Sequence, residues 1–158
     1  MLNLASGRNQ EGQLARVSTY LNFATQTEEA FNFYKSIFGT EFVGDISRMG
    51  DAPPQPGQSE LSEADKKLIM HIELPIVGDH ILHGTDAPES MGFTVDQGNN
   101  DYIMLELDTR QDADHYFAAL SEGATIEMPL SEQFWGDYFG SLIDKYGVRW
   151  MFNTSAQS

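Results

Sequence analysis

Four side chains able to bind a metal or move a proton stand close together in the chain or in pattern. His71 and Glu73 lie in "LIMHIEL", His83 in "HILHGTD" and Glu106 in "YIMLELD". His71 and Glu73 are two residues apart and so share a face if the segment is a strand. That arrangement suits joint ligation of a divalent ion, or an imidazole–carboxylate couple that tunes a general base. The ordinary alternative is a pair of polar residues on a wet sheet face. His80 beside a turn and His115 on the outer side of a helix read as solvated. No His-Glu-x-x-His helix, phosphate-cradling loop or Ser-His-Asp order accompanies these residues. Cysteine is absent, which excludes disulfides, thiol nucleophiles and thiolate-bound metals and fits a reducing cytoplasm.

The elements that must position these groups alternate clearly. "YLNF" offers Leu21 and Phe23 to one side, Tyr20 and Asn22 to the other. "LIMHIEL" sends Leu68, Met70, Ile72 and Leu74 one way, His71 and Glu73 the other. "YIMLELD" splits into Ile103, Leu105 and Leu107 against Tyr102, Met104 and Glu106. "VRWMFN" splits into Val148, Trp150 and Phe152 against Arg149, Met151 and Asn153. Shorter strands are expected in "EFVGDISRM", "HILHGTD", "TIEMP" and "FGSLID". Two helices carry apolar stripes: Ala30, Phe31, Tyr34, Ile37 and Phe38, then Ala113, Tyr116, Phe117 and Leu120. Thr25 with Glu28 reads as a capping box for the first, and Asp108 or Thr109 caps the second. Gly39 and Gly123 supply the stops.

Each helix follows one strand and precedes several, so the order strand–helix–three strands occurs twice. The reading is a polar, flexible tail over residues 1–14, a first module over 15–98 and a second over 99–158. Residues 51–66, which take in most of "GDAPPQPGQSELSEAD", form a long loop, either a mobile connection or a lid.

The 158 residues carry a formal charge of −15 and a pI near 4.3. So acidic a surface repels nucleic-acid phosphates and anionic lipid, and no apolar run reaches the roughly 20 residues of a membrane span. Neither nucleic acid nor membrane is expected as a partner. The start "MLNLASGRNQEGQ" lacks a secretion signal, and the expected location is cytoplasmic.

The paired βαβββ pattern, the helix "EEAFNFYKSIFGTEF" and the run "MPLSEQFWGDYFGSLIDKYGVRWMFN" together resemble the PhnB-like branch of the vicinal oxygen chelate superfamily. That superfamily also contains glyoxalases, bleomycin-resistance proteins and extradiol dioxygenases. The resemblance covers about residues 15–155, and the P-x-x-x-x-F-W-G-x-x-F-G-x-x-x-D-x-x-G-x-x-W pattern is its specific part. Some relatives carry a ubiquinone-pathway methyltransferase label, but this chain has no glycine-rich nucleotide loop after a strand.

The resemblance implies an α+β fold in which two βαβββ modules make a curled eight-stranded mixed sheet around a cavity, often in a homodimer. The polar strand faces then turn inward, giving a pocket of Tyr20, Asn22, His71, Glu73, His83, Tyr102, Glu106 and Arg149. Trp150 and Phe152 fall on the helix-packing side, while Trp135 and Phe139 are placed to reach the cavity mouth. The superfamily's four metal-ligand positions fall on Ser18 or Thr19, His83, Tyr102 and Met151. Only His83 is a good donor, so no metal or other cofactor is expected there. A relocated divalent-metal site would use His71, Glu73, His83 and Glu106.

The leading expectation is a homodimeric binding protein for a small organic molecule, with no obligatory reaction. The alternatives are a glyoxalase- or dioxygenase-like enzyme with a relocated metal, and a non-catalytic structural or interaction module.

Overall fold

Strand β1 (Thr19–Phe23) leads directly into helix α1 (Thr27–Phe38). The structure, a computed structural model, describes residues 15–158; the expected tail over 1–14 lies outside them. After α1 come β2 (Ser47–Arg48), the short helix α2 (Glu63–Lys66), β3 (Ile69–Pro75) and β4 (Ile81–Asp86). The second half runs β5 (Ile103–Glu106), α3 (Arg110–Leu120), β6 (Thr125–Glu132), β7 (Tyr138–Ile143) and β8 (Arg149–Thr154).

Among the described residues the strands form two four-stranded sheets of the same topology, β1-β4-β3-β2 and β5-β8-β7-β6. In each, the first strand pairs in parallel with the last, and the remaining neighbours are antiparallel. The fold is α+β, with the strand–helix–three strands order used twice.

The helices cover the apolar faces, as their stripes require. Ala30, Phe31 and Tyr34 of α1 and Ala113 and Leu120 of α3 are fully buried. Gly84 on β4 lets α1 come close, because a Cβ there would stand 2.5 Å from a ring carbon of Phe31. The halves share one core. Trp150 meets Tyr34 and Phe38 of α1, and Phe38 stacks on Tyr116 of α3 at 5.3 Å. The parity assigned to Trp150 and Phe152 holds, since both are fully buried.

Four local expectations change. The Thr25–Glu28 capping box does not form: the N-cap is Gln26, without a side-chain bond. Thr27, one position on, turns its hydroxyl to Asp86 Oδ1 at 2.7 Å, and Glu28 goes to Arg48 instead. Met70 is exposed, and Ile69 is buried in its place. The single step from Ser47 to Arg48 spans two residues of β3, His71 to Ile69, so one extra residue resets the alternation. "EFVGDISRM" yields only the two-residue β2. His80 is not left to solvent, because its Nε2 lies 2.8 Å from Thr19 Oγ1.

The 51–66 connection leaves β2 through a 3-10 turn at Met49–Asp51 and returns through α2. Its base is held by Arg48, which donates to both Glu28 carboxylate oxygens, and by Gly50 packed against Lys66.

Candidate functional site

The polar face of the first sheet gathers its titratable groups by register. Tyr20 on β1 lies opposite His83 on β4, and His83 lies opposite Glu73 on β3. One row therefore crosses three strands, with His71 two residues along β3 from Glu73. The Tyr20 and His83 rings are parallel within 1° at 5.8 Å, and Tyr20 is also 5.9 Å from the His71 ring. His71 Nε2 is 3.0 Å from Glu73 Oε1, and His83 Nδ1 is 3.4 Å from His71 Nε2 and 3.6 Å from Glu73 Oε1. The other Glu73 oxygen faces Arg16 at 4.0 Å.

This packing sets the charge states. Burial pushes the His83 imidazole below the usual histidine range, and repulsion from His71 adds to this against the pull of Glu73. The hydrogen bond with His71, and then the nearby His83 charge, hold the Glu73 carboxyl below its usual range despite partial burial. Near neutral pH the group is thus a carboxylate beside a neutral His83 imidazole, a combination able to bind a cation or accept a proton.

The second sheet holds a separate cluster. Tyr102 donates its hydroxyl to Glu127 Oε1 at 2.8 Å, and Arg149 Nη1 donates to Glu127 Oε2 at 3.2 Å. The Arg149 guanidinium also lies 5.8 Å from the centre of the Tyr102 ring, and its Nε donates to Gly98 O.

A cleft of about 800 Å³ lies where the edge strands β1 and β5 come near one another. Tyr20, Asn22, Tyr102 and Arg149 line it, and the connection between β4 and β5 closes one side through Phe93 and Gln97. A smaller groove of about 340 Å³ has Thr19, His80, Tyr102 and Glu106 on its walls. The ten expected site residues therefore divide. Four line the large cleft; His71, Glu73 and His83 form the adjoining cluster; Glu106 faces the smaller groove. Trp135 and Phe139 belong to the β6–β7 hairpin and line neither cleft, and Trp135 packs edge-on against the exposed Phe134.

The superfamily's usual ligand positions, as the resemblance places them, carry mostly weak donors. Thr19 Oγ1 is engaged by His80, Tyr102 by Glu127, and Met151 offers a thioether. Ser18, the alternative first position, is a neutral hydroxyl. Glu106 is not within reach of the His71–Glu73–His83 group, in which the three donor atoms lie within 4.8 Å of one another.

Sequence reasoning missed several participants. Glu127 sits on β6, a strand to which no face had been assigned. Met49, Met91 and Phe93 reach the cleft from non-repetitive segments without periodicity. Asp86 and Asp144 are buried, and their partners lie far away in sequence.

Comparison with known proteins places the fold and the family. Residues 15–152 match the family described as 3-demethylubiquinone-9 3-methyltransferase. The structure of protein PA1353 from Pseudomonas aeruginosa is similar, with 31% identity and a TM-score of 0.74, covering 89% of this chain and 97% of that one. So is a PhnB protein from Bacillus cereus, described as a putative 3-demethylubiquinone-9 3-methyltransferase, at 28% identity and TM-score 0.67, with 89% and 99% covered. A glyoxalase/bleomycin resistance protein/dioxygenase family enzyme from Burkholderia phytofirmans shares the fold at 19% identity and TM-score 0.56, with 87% and 98% covered.

Proposed function

Because this chain belongs to the PhnB-like family described as 3-demethylubiquinone-9 3-methyltransferase, within the vicinal oxygen chelate superfamily, we propose that it binds a small organic molecule in the cleft between β1 and β5. The supporting observation is the cleft itself. It has the size of a small-molecule site and joins aromatic walls, Tyr20 and Phe93, to a few polar anchors, Asn22, Gln97 and Arg149. Tyr20 and Phe93 are about half exposed, so each keeps ring surface open to a guest. Asp96 and Asp101 on the rim and the chain's charge of −15 favour a neutral or cationic molecule with an apolar body.

Binding in this cleft requires neither the superfamily's usual metal nor a methyl donor. The dinucleotide fingerprint of doubly wound folds sets a glycine-rich turn between a strand and a helix. Here β1 runs into α1 through "ATQ", without a glycine. We read the protein as a cytoplasmic homodimer; separately, no described helix is long and apolar enough to cross a membrane. Met104, Ile126, Met128, Phe134 and Trp135 of the second half are left exposed for a second copy to cover. The 51–66 connection starts at the cleft wall beside Met49 and is the segment we assign to cover a bound molecule.

A panel of neutral and cationic aromatic metabolites, screened by thermal shift, tests the reading. A ligand at about 100 times its Kd stabilises the folded state by about 2.7 kcal/mol. The shift is expected to shrink in Tyr20→Ala. The reading fails if no compound shifts the midpoint, or if shifts persist unchanged in that variant.

A further inference from the structure

We propose that His71, Glu73 and His83 together bind one divalent cation of the zinc type on the polar face of the first sheet, beside the main cleft. The three facing atoms form a triangle with sides of 3.0, 3.4 and 3.6 Å. A tetrahedral zinc centre with bonds of about 2.1 Å has neighbouring ligand atoms about 3.4 Å apart, close to the mean of those sides. The three atoms lie about 1.9 Å from the centre of their common circle, so an ion bonded to all three would sit just above their plane. The spacing of the three atoms is thus close to that of a coordinated set.

A proton alone satisfies the cluster less well. One hydrogen bond joins His71 to Glu73 at 3.0 Å, but among the described residues His83 Nδ1 then has contacts at 3.4 and 3.6 Å, beyond good hydrogen-bond distance. A cation placed among them serves all three atoms at once. Two imidazoles and one carboxylate are the borderline donor set that zinc and its neighbours favour.

The scaffold is suited to hold such an ion. All three ligands stand on β3 and β4, whose antiparallel register fixes Glu73 opposite His83. Tyr20 stacks on His83 and limits its rotation, while Arg16 faces the other Glu73 oxygen at 4.0 Å and Oε1 is turned to the histidines. The side chains are 38%, 25% and 16% exposed, so the site has an entry path and room for a water or ligand atom in a fourth position. This arrangement shares only His83 with the superfamily's usual ligand positions and draws nothing from the second sheet.

The test uses full-length protein stripped with a chelator and titrated with zinc chloride by calorimetry, and with cobalt(II) followed by absorption. Wild-type protein is expected to take up one equivalent, with the intense visible bands of four-coordinate cobalt. His71→Ala and Glu73→Gln should each weaken zinc binding by more than the roughly 100-fold that loss of a supporting group costs. His115→Ala, on the exposed face of α3, should bind like wild type. Far-UV circular dichroism confirms folding, and Glu73→Gln preserves side-chain volume should His71→Ala disturb it. The proposal is overturned if zinc is not taken up stoichiometrically at micromolar concentration, or if both ligand variants keep wild-type affinity. Because no organic ligand is present, either result leaves the cleft reading untouched.

Discussion

Tyr34 on α1 donates its hydroxyl to Asp144 Oδ2 at 2.6 Å, reaching from the first half of the chain into the turn between β7 and β8. Trp150 Nε1 donates to the same oxygen at 2.9 Å, and the Tyr146 and Val148 amides donate to Oδ1 at 2.8 and 3.0 Å. A carboxylate only 4% exposed is thus satisfied by four neutral donors. The bond ties the two halves together and fixes the hairpin that carries Arg149.

Asp144→Ala should therefore be severe. It strands two buried side-chain donors and loosens a hairpin, and a loss of about 3–5 kcal/mol is expected in urea unfolding. A change under 1 kcal/mol would show that the network is not a structural centre.

The same bond gives an alkaline signature. Burial first, and then the Asp144 charge and hydrogen bond, push the Tyr34 phenol well above the usual tyrosine range. Its raised folded-state value means that full stability is present below about pH 10 and is lost progressively above it. Tyr34→Phe should cost about 1.5–3 kcal/mol at neutral pH, yet decline less steeply than wild type between pH 9.5 and 11. Parallel decline of the two proteins would assign the alkaline limb elsewhere. Tyr146, raised by its burial, and Tyr138, raised by its hydrogen bond to Asp114, should supply the slope that remains.

Gly84→Ala tests how closely α1 packs on β4. The new methyl would lie 2.5 Å and 2.7 Å from Phe31 ring carbons and 2.8 Å from Thr27 Cγ2, all on a buried helix face. We expect a loss of about 1–3 kcal/mol from overpacking, measured as a lowered urea midpoint with the slope unchanged. Wild-type stability would mean that the helix can move away freely.

The fold was largely legible because its signals are local. Alternation put Trp150 and Phe152 inward and Arg149 outward, and the Gly147 turn fixed where β8 begins. What was lost depended on distant partners. Thr25 met the rule for a helix cap, but the Thr27 hydroxyl is claimed by Asp86, 59 residues away, so helix entry follows tertiary contacts. Met70 was misassigned because a bulge is a property of two strands, and the partner β2 is too short to leave a pattern.

The candidate site was legible to the same degree. His71 and Glu73 share a face by simple parity, and His83 joins them through the β3–β4 register. Glu106 has the same parity on its own strand but belongs to the other sheet. The Phe-Trp-Gly corner drew notice to Trp135, whereas the cleft wall at Phe93 and Gln97 lies in a segment with no repeating pattern.

Native mass spectrometry of the purified protein, mixed with the best compound from the thermal screen, tests the cleft most directly. Wild type is predicted to carry one ligand per chain, and Tyr20→Ala and Arg149→Ala to lose most of that occupancy while remaining folded. Equal occupancy in all three proteins would place the molecule outside the cleft and contradict the account.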